Sequence, residues 1–77
     1  MSTDIYLKYS NTDIGKHIVE LRKLRNISAY KLSLDSCISN SVLIRIEKGE
    51  REAKINTLLK IIEGLGISPA EFFKDFK

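Results

Sequence analysis

The spacing of apolar residues restricts the fold of this chain most, because they recur every three or four positions along most of its length. Such a period places apolar side chains on one face of a helix. Ile14, Ile18 and Leu21 mark a first helix in this way. We expect it to begin at Thr12, whose hydroxyl can cap a helix N-terminus, and to end at Asn26, which tolerates a left-handed conformation.

Serine residues that precede helical patterns divide the rest of the chain into further helices. Ser28 and Ser39 are expected N-caps, and Ser68 precedes Pro69, a residue favoured in the first turn of a helix. The fourth helix lacks such a cap, because Lys54 occupies its start. The helices after the first are expected at residues 29–36, 40–48 and 55–64 and in the segment that begins at residue 69.

These patterns predict an all-α fold with five helices in one domain. The chain has 77 residues, of which 43% are hydrophobic and 30% are charged, as is typical of a single globular domain. We assign residues 12–77 to this domain and residues 1–11 to an N-terminal arm. For residues 1–10, a short strand, a helical extension and a loose arm all stay open, because apolar and polar residues alternate there only in part.

The expected location follows from the cysteine count and from the lengths of the apolar runs. One Cys allows no disulfide framework within the chain and fits a reducing compartment. No apolar run approaches the roughly 20 residues of a membrane span, and the N-terminus lacks the pattern of a signal peptide. We therefore expect a cytoplasmic protein without membrane contact.

Apolar residues on the inner helix faces predict the hydrophobic core. The expected core residues are Ile14, Ile18, Leu21, Leu32, Leu43, Ile46, Ile55, Leu58, Leu59, Ile62, Leu65, Phe72, Phe73 and Phe76. Cys37 lies in the break between the second and third helices, where we expect a small, buried turn residue. A positive φ at Cys37 would cost about 1 kcal/mol.

Two short helices separated by a break of about three residues are typical of a helix-turn-helix, here at about residues 28–48. Ser33 is small where the two helices must cross, and Leu43 and Ile46 hold the second of them on the first. The outward stripe of that second helix consists of Asn40, Ser41, Ile44 and Arg45. A helix fits the DNA major groove, where such a stripe would face the base edges.

Six ordered segments extend this pattern over residues 14–73. They are IGKHI at 14–18, LR at 21–22, ISNS at 38–41, RIEKGE at 45–50, TLLKI at 57–61 and LGIS at 65–68. Together they resemble the lambda-repressor and Cro family of helix-turn-helix regulators, often called XRE-type. The resemblance implies a compact five-helix domain whose third helix docks in the major groove. It also implies a partly buried ion pair between Arg22 and Glu47, which ties the first helix to the third.

The resemblance carries base contacts over to Asn40, Ser41 and Arg45. Arg can bind guanine O6 and N7 with two hydrogen bonds, and Asn can bind adenine N6 and N7 in the same way. Ser41 could contact a base or a phosphate, and Ile44 could contact a thymine methyl group. For each of these residues, an exposed position without a base contact is the alternative.

Phosphate contacts are expected at the start of the second helix, at the cap of the third and in the loop after it. Backbone amides at helix N-termini and basic side chains attract phosphates there. The candidates are Ser28, Tyr30, Ser39, Lys48, Arg51 and Lys54. For Arg51 and Lys54, a purely solubilising role is the alternative. Many family members bind a phosphate through a Gln where this chain has Ala29.

We expect a transcription regulator that represses a palindromic operator on double-stranded DNA as a homodimer. One recognition helix reads few base pairs, so two helices about 34 Å apart multiply the specificity. Apolar residues beyond the needs of the bundle are expected at the dimer interface, namely Ile5, Tyr6, Leu7, Tyr9, Leu24 and Phe76. The net charge of +3 permits a polyanionic partner without requiring one.

An antitoxin or anti-repressor that binds a regulatory protein, with DNA binding secondary, is the alternative function. The mild net charge and the absence of Gln at Ala29 leave room for it. An enzyme is not expected, because His17 has no second His and no Cys at ligand spacing, and no Gly-rich phosphate loop is present. The sequence therefore predicts no catalytic residue, no metal site and no cofactor.

Overall fold

The computed structural model describes residues 8–77, which form five α-helices and no strand. The helices α1 to α5 cover Asn11–Leu24, Ala29–Asp35, Asn40–Glu47, Ile55–Gly64 and Pro69–Phe73. The expected all-α fold with five helices is confirmed. The predicted bounds of α4 agree with the structure, whereas α2 and α3 each end one residue earlier than the sequence pattern predicts.

Four helices begin at a serine that forms hydrogen bonds with the first turn. The hydroxyls of Ser28, Ser39 and Ser68 each accept a hydrogen bond from a backbone N–H three residues later, at 3.0, 3.2 and 3.1 Å. The predicted cap of α1 is wrong, because Thr12 lies inside the first turn and Ser10 precedes the helix. The backbone N–H and the hydroxyl of Ser10 donate to Asp13 Oδ2 at 2.9 and 3.2 Å, which favours the earlier start.

The core joins all five helices through a continuous set of buried apolar side chains. Its members are Ile18, Leu32, Leu43, Ile46, Leu58, Ile61, Ile62, Leu65 and Phe72. The prediction that Ile55 and Leu59 belong to this core is wrong, since 65% and 41% of their surfaces are exposed. Ile61 takes the inward position instead, because the apolar face of α4 spans an arc of about 160° and only its side with Leu58, Ile61 and Ile62 meets the core. Phe73, another residue expected in the core, is 37% exposed and lies outside it as well.

Two glycines allow the helices to approach closely where they cross. Helix α1 packs on α3, and α2 packs on both α3 and α4. A Cβ atom on Gly15 would collide with the carbonyl oxygens of Ile46 and Glu47 at the end of α3. A Cβ atom on Gly64 would collide with the hydroxyl of Ser36 at the end of α2. Both crossings therefore need a residue without a side chain.

Aromatic residues connect the segment before α1 to the segment after α5. The Tyr9 hydroxyl donates to the main-chain oxygen of Lys77 and accepts from its N–H, both at 2.6 Å. The rings of Tyr9 and Phe76 meet edge to face at a centroid distance of 5.0 Å. His17 is buried between Phe72 and Phe76, and its Nε2 lies 2.7 Å from the Phe72 carbonyl oxygen.

Candidate nucleic-acid interface

Helices α2 and α3 form the helix-turn-helix, and Ser33 lies where they meet. Its side chain is 1% exposed and donates to the Tyr30 carbonyl oxygen at 2.7 Å. The turn is closed by a hydrogen bond from Ile38 N to the Ser33 carbonyl oxygen at 3.1 Å. Cys37 has a φ of 57°, which is a left-handed conformation. The prediction that Cys37 is buried is wrong, because this conformation ends α2 with the thiol exposed.

Helix α3 presents one face to the core and the opposite face to solvent. Leu43 and Ile46 are buried, and Val42 packs partly against the core. The outer stripe consists of Asn40, Ser41, Ile44 and Arg45, which span an arc of about 140° at 100° per residue. Three of these side chains are exposed, and Ile44 is half-buried.

The polar groups of the outer stripe are available to a ligand. Within residues 8–77, the side chains of Asn40 and Arg45 form no hydrogen bond and no ion pair. The Ser41 hydroxyl lies 3.4 Å from that of Ser39, a weak contact that DNA could replace. The stripe therefore offers an amide, a hydroxyl and a guanidinium group on one helix face, with an aliphatic side chain between them.

The candidate phosphate contacts lie at the start of α2, at the two caps of α3 and in the loop after α3, and all are exposed. They are Ser28, Tyr30, Ser39, Lys48, Arg51 and Lys54. The Ser28 and Ser39 oxygens accept from backbone amides, which leaves the Ser28 O–H to donate to a phosphate, and the Ser39 O–H to donate either to Ser41 at 3.4 Å or to a phosphate. In the described part of the chain, Lys48, Arg51 and Lys54 form no ion pair. Their charges can therefore act on a phosphate backbone without first breaking an internal contact.

Acidic groups of α2 and α3 are paired with cations inside the chain. Lys31 Nζ lies 3.0 Å from Asp35 Oδ1, one turn along α2. In α3, Glu47 accepts from Arg22 Nε and Nη2 at 2.8 and 3.1 Å, which is a bidentate arrangement. Arg22 Nη1 also donates to the Ile27 carbonyl oxygen at 3.1 Å. The Arg22 and Glu47 side chains are 15% and 8% exposed, so α1 is tied to α3 by a partly buried ion pair.

Residues 8–77 contain neither a cluster of potential metal ligands nor a membrane-spanning helix. No group of three or more His, Cys, Asp or Glu side chains is gathered there for a metal ion. Among the same residues, no helix has the length and apolar character needed to cross a membrane.

A family model of helix-turn-helix proteins, HTH_3, matches residues 18–72, which is most of the chain and includes α2 and α3. The chain belongs to the helix-turn-helix family. The resemblance to XRE-type regulators is thereby confirmed, and this helix-turn-helix protein is a DNA-binding transcription regulator by class. A comparison with curated proteins finds no match.

Solved structures of similar proteins include regulators of this family. The restriction-modification controller protein C.AhdI from Aeromonas hydrophila has a TM-score of 0.78 and 28% identity, over 82% of this chain and 96% of that chain. An HTH_3 family transcriptional regulator from Vibrio cholerae has a TM-score of 0.80 and 33% identity, over 86% of this chain and 37% of that chain.

The controller protein C.Esp1396I, solved as a tetramer in complex with its natural 35 base-pair operator, is also similar in fold. Its TM-score is 0.83 at 22% identity, over 88% of this helix-turn-helix protein and 90% of that chain. At this identity the likeness concerns the fold alone.

Two features of the region are not predicted from the sequence. The first is the close approach at Gly15, although a glycine inside a helix, away from both ends, indicates such an approach. The exposed apolar residues Ile55 and Leu59 were assigned to the core. The width of the apolar face of α4, an arc of about 160°, is the available signal, since a face of this width cannot all be buried in a small bundle.

Proposed function

We propose that this protein is a sequence-specific repressor that binds a palindromic operator on double-stranded DNA as a homodimer. The observation that carries the proposal is the outer stripe of α3, whose polar groups are free while the opposite helix face is anchored in the core. The similarity to a restriction-modification controller protein supports it. Repression follows from occupancy, because a protein seated in the major groove excludes other proteins from the same DNA.

In this proposal, Arg45 and Asn40 supply most of the base discrimination. Arg45 binds guanine through O6 and N7, and Asn40 binds adenine through N6 and N7. Ser41, beside them, donates to a base or a phosphate. Ile44 lies between these polar groups on the helix surface and packs on a thymine methyl group. Each half-site would then be read by two bidentate contacts and two smaller ones.

Contacts to phosphates would fix the register of the protein on DNA. Ser28 and Tyr30 lie at the start of α2, and Ser39 caps α3. Lys48, at the C-cap of α3, is followed along the chain by Arg51 and Lys54, which contribute charge that does not depend on sequence. The proposal assigns the six residues to the DNA backbone rather than to the bases.

A second copy of the chain is proposed to bind the exposed apolar face of α4 and α5. Ile55 and Leu59, one turn apart on α4, are 65% and 41% exposed, and Phe73 of α5 is 37% exposed. A groove of about 560 Å³ continues it between α4 and the loop before α5. Lys60 and Glu63 line the groove. Their opposite charges suit a two-fold contact in which Lys60 of each copy meets Glu63 of the other.

The α4–α5 face is a better candidate for the dimer interface than the residues expected from sequence. Tyr9 and Phe76 pack on each other, and Phe76 also packs on the core. Ile5, Tyr6 and Leu7 lie outside the described residues. Leu24 is 82% exposed on α1, where it lies beside the partly buried Leu21 and several charged residues. Leu59→Glu is therefore expected to convert a dimer into a monomer in analytical ultracentrifugation, whereas the control Leu24→Glu keeps the dimer. The reverse result would place the interface on α1.

Selection of bound sites from random duplex DNA tests the function as a whole. We expect a palindromic consensus whose half-sites lie about one helical turn apart. Binding should weaken steeply as salt rises, because each phosphate contact releases counterions. Weak binding to all DNA at every salt concentration would contradict the proposal and favour a module that binds a regulatory protein.

Two variants separate base reading from phosphate binding. Arg45→Ala should reduce discrimination by about 1–3 kcal/mol at one base pair of each half-site. Lys48→Ala should weaken binding evenly on all sequences and lower the slope of affinity against salt. Electrophoretic mobility shifts on the consensus and on single-base variants measure both effects. Equal effects of the two variants on every sequence would refute the assigned roles.

A further inference from the structure

Helix α1 contacts the C-terminal end of the recognition helix α3, and the turn after it, at three positions along its length. Thr12 lies against Gly49, where a Cβ atom would meet the Thr12 Cα at 3.1 Å. Gly15 lies against the last carbonyl groups of α3. Further along α1, Arg22 holds the Glu47 carboxylate. The end of α3 that follows Arg45 is therefore set by α1.

The contact at Gly15 is made by backbone alone. A Cβ atom there would lie 2.6 Å from the Glu47 carbonyl oxygen and 2.9 Å from its carbon, and closer still to the Ile46 carbonyl oxygen. The hydrogen that Gly15 carries in place of Cβ thus points at the two carbonyl oxygens, the geometry of a Cα–H···O contact. Backbone atoms of two helices cannot move aside as the end of a flexible side chain can.

The N-terminal end of α3 is fixed in a different way. Ser39 caps the helix by accepting from Val42 N at 3.2 Å, and the short turn from α2 leads directly into it. Leu43, one turn along, is fully buried in the core. A displacement at the C-terminal end would therefore tilt α3 about its anchored N-terminal end.

We propose that Gly15 is a positioning residue for DNA reading, because the absence of its side chain sets the tilt of α3 and hence the place of Arg45 in the major groove. This inference rests on the proposed function. A methyl group at Gly15 would move the C-terminal end of α3 by roughly 0.5–1 Å, which over the helix length of about 12 Å is a tilt of about 4°. Arg45, near that end, moves more than Asn40, at the pivot.

The tilt has a consequence for specificity that differs along the helix. Bidentate hydrogen bonds weaken steeply when distances or angles depart from their optimum. The base pair read by Arg45 should therefore lose discrimination, and the base pair read by Asn40 should keep it. A role of Gly15 in stability alone would lower the folded fraction, which affects binding to all sequences equally.

The experiment measures ratios of dissociation constants for Gly15→Ala on operators with single-base changes. Arg45→Ala and Asn40→Ala first identify the base pair that each side chain reads. For Arg45→Ala we expect a loss of about 5- to 150-fold in discrimination. Gly15→Ala should then reduce discrimination at the Arg45 base pair by at least about 5-fold, and by less than about 2-fold at the Asn40 base pair. Combining Gly15→Ala with Arg45→Ala should give no further loss at the first base pair.

Gly66→Ala is the matched control. Gly66 has a φ of +77°, so an alanine there strains the backbone, but no atom lies within 4 Å of its Cβ position. This variant should lower the melting temperature and leave both discrimination ratios unchanged. If Gly15→Ala does not fold, Arg22→Lys replaces it, because a lysine keeps the charge at α1 but cannot hold Glu47 with two parallel hydrogen bonds. The same selective loss at the Arg45 base pair is expected.

Two outcomes are distinguishable failures. Unchanged ratios in a folded Gly15→Ala, or in Arg22→Lys if the first variant does not fold, would overturn the inference and leave the proposed function intact. Absence of sequence discrimination in the unmodified protein would instead overturn the proposed function, and the inference with it.

Discussion

Two helix crossings in this protein are built around a glycine, but they are fixed by different forces. Where α1 crosses α3, Gly15 lies against the end of α3, and the bidentate pair of Arg22 and Glu47 joins the same two helices. Where α2 crosses α4, Gly64 lies against Ser36, whose buried hydroxyl has no hydrogen-bond partner among the described residues.

The difference shows that one crossing sets the orientation of a helix, whereas the other sets the distance between two helices. Hydrogen bonds and ion pairs depend on angle as well as distance, so the first crossing fixes how α3 is turned. Apolar packing is non-directional, so the second crossing fixes mainly how closely α2 and α4 approach. The directional contacts thus occur at the crossing that carries the candidate recognition helix.

The largest effect is expected from breaking the ion pair at the first crossing. Arg22→Met leaves the Glu47 carboxylate 8% exposed with no cation, and should lower the free energy of unfolding by about 3 kcal/mol. Urea denaturation followed by circular dichroism measures the change. The double variant with Glu47→Leu should recover most of the loss, since no unpaired charge remains. A double variant as unstable as the single one would show that packing, not charge, is what Arg22 supplies.

Overpacking the second crossing should have the next largest effect. Gly64→Ala adds a methyl group beside the Ser36 hydroxyl, and it also lies 3.2 Å from Leu32 Cδ1, so we expect a loss of about 1–3 kcal/mol. Thermal unfolding measures it. Base discrimination by the folded variant should stay unchanged, because the α1–α3 contacts are untouched. Altered discrimination would mean that both crossings orient α3.

A smaller, stabilising effect is expected at Ser36. Ser36→Ala removes a buried hydroxyl without a partner and should raise the free energy of unfolding by about 1 kcal/mol. In this background, Gly64→Ala should cost less than in the unmodified protein, since the oxygen that it meets is gone. Additive effects in the double-mutant cycle would contradict direct contact between the two positions.

The smallest effect is expected at the turn that follows the second crossing. Cys37→Gly should raise the free energy of unfolding by about 0.5–1 kcal/mol, because glycine adopts the φ of 57° without strain. The thiol is exposed, so no packing is lost. Calorimetry with Cys37→Ala as control should show no comparable gain for alanine. Equal melting temperatures for the two variants would argue against strain at this position.

Local features of the fold could be predicted where one residue type has one dominant use. Ser28, Ser39 and Ser68 were identified as caps because a serine before an apolar helical pattern satisfies a free backbone amide. The start of α1 was misplaced because several residues before it can serve as caps. The spacing of Ser10 and Asp13 distinguishes them, since it allows the carboxylate to reach back.

Tertiary features are harder to predict from the sequence, because they depend on which face of a helix meets a neighbour. Ile55 and Leu59 follow the same helical period as the core residues of α4, and only the packed bundle shows that they lie outside it. Cys37 was expected to be buried on account of its size, but the turn directs it to solvent. The outer stripe of α3 could be predicted, because Leu43 and Ile46 define the opposite face. Whether that stripe reads bases stays a prediction.

The hydroxyl of Tyr9 holds both the N–H and the carbonyl of Lys77, which brings positions 68 residues apart in the chain into direct contact. In a variant limited to residues 9–77, a short peptide linker would therefore join these two positions, and the chain would be reopened in the loop between α3 and α4. Such a circular permutant would retain every helix and both crossings. Its new chain ends would lie in that loop, so fusion partners would be attached there instead of beside Tyr9.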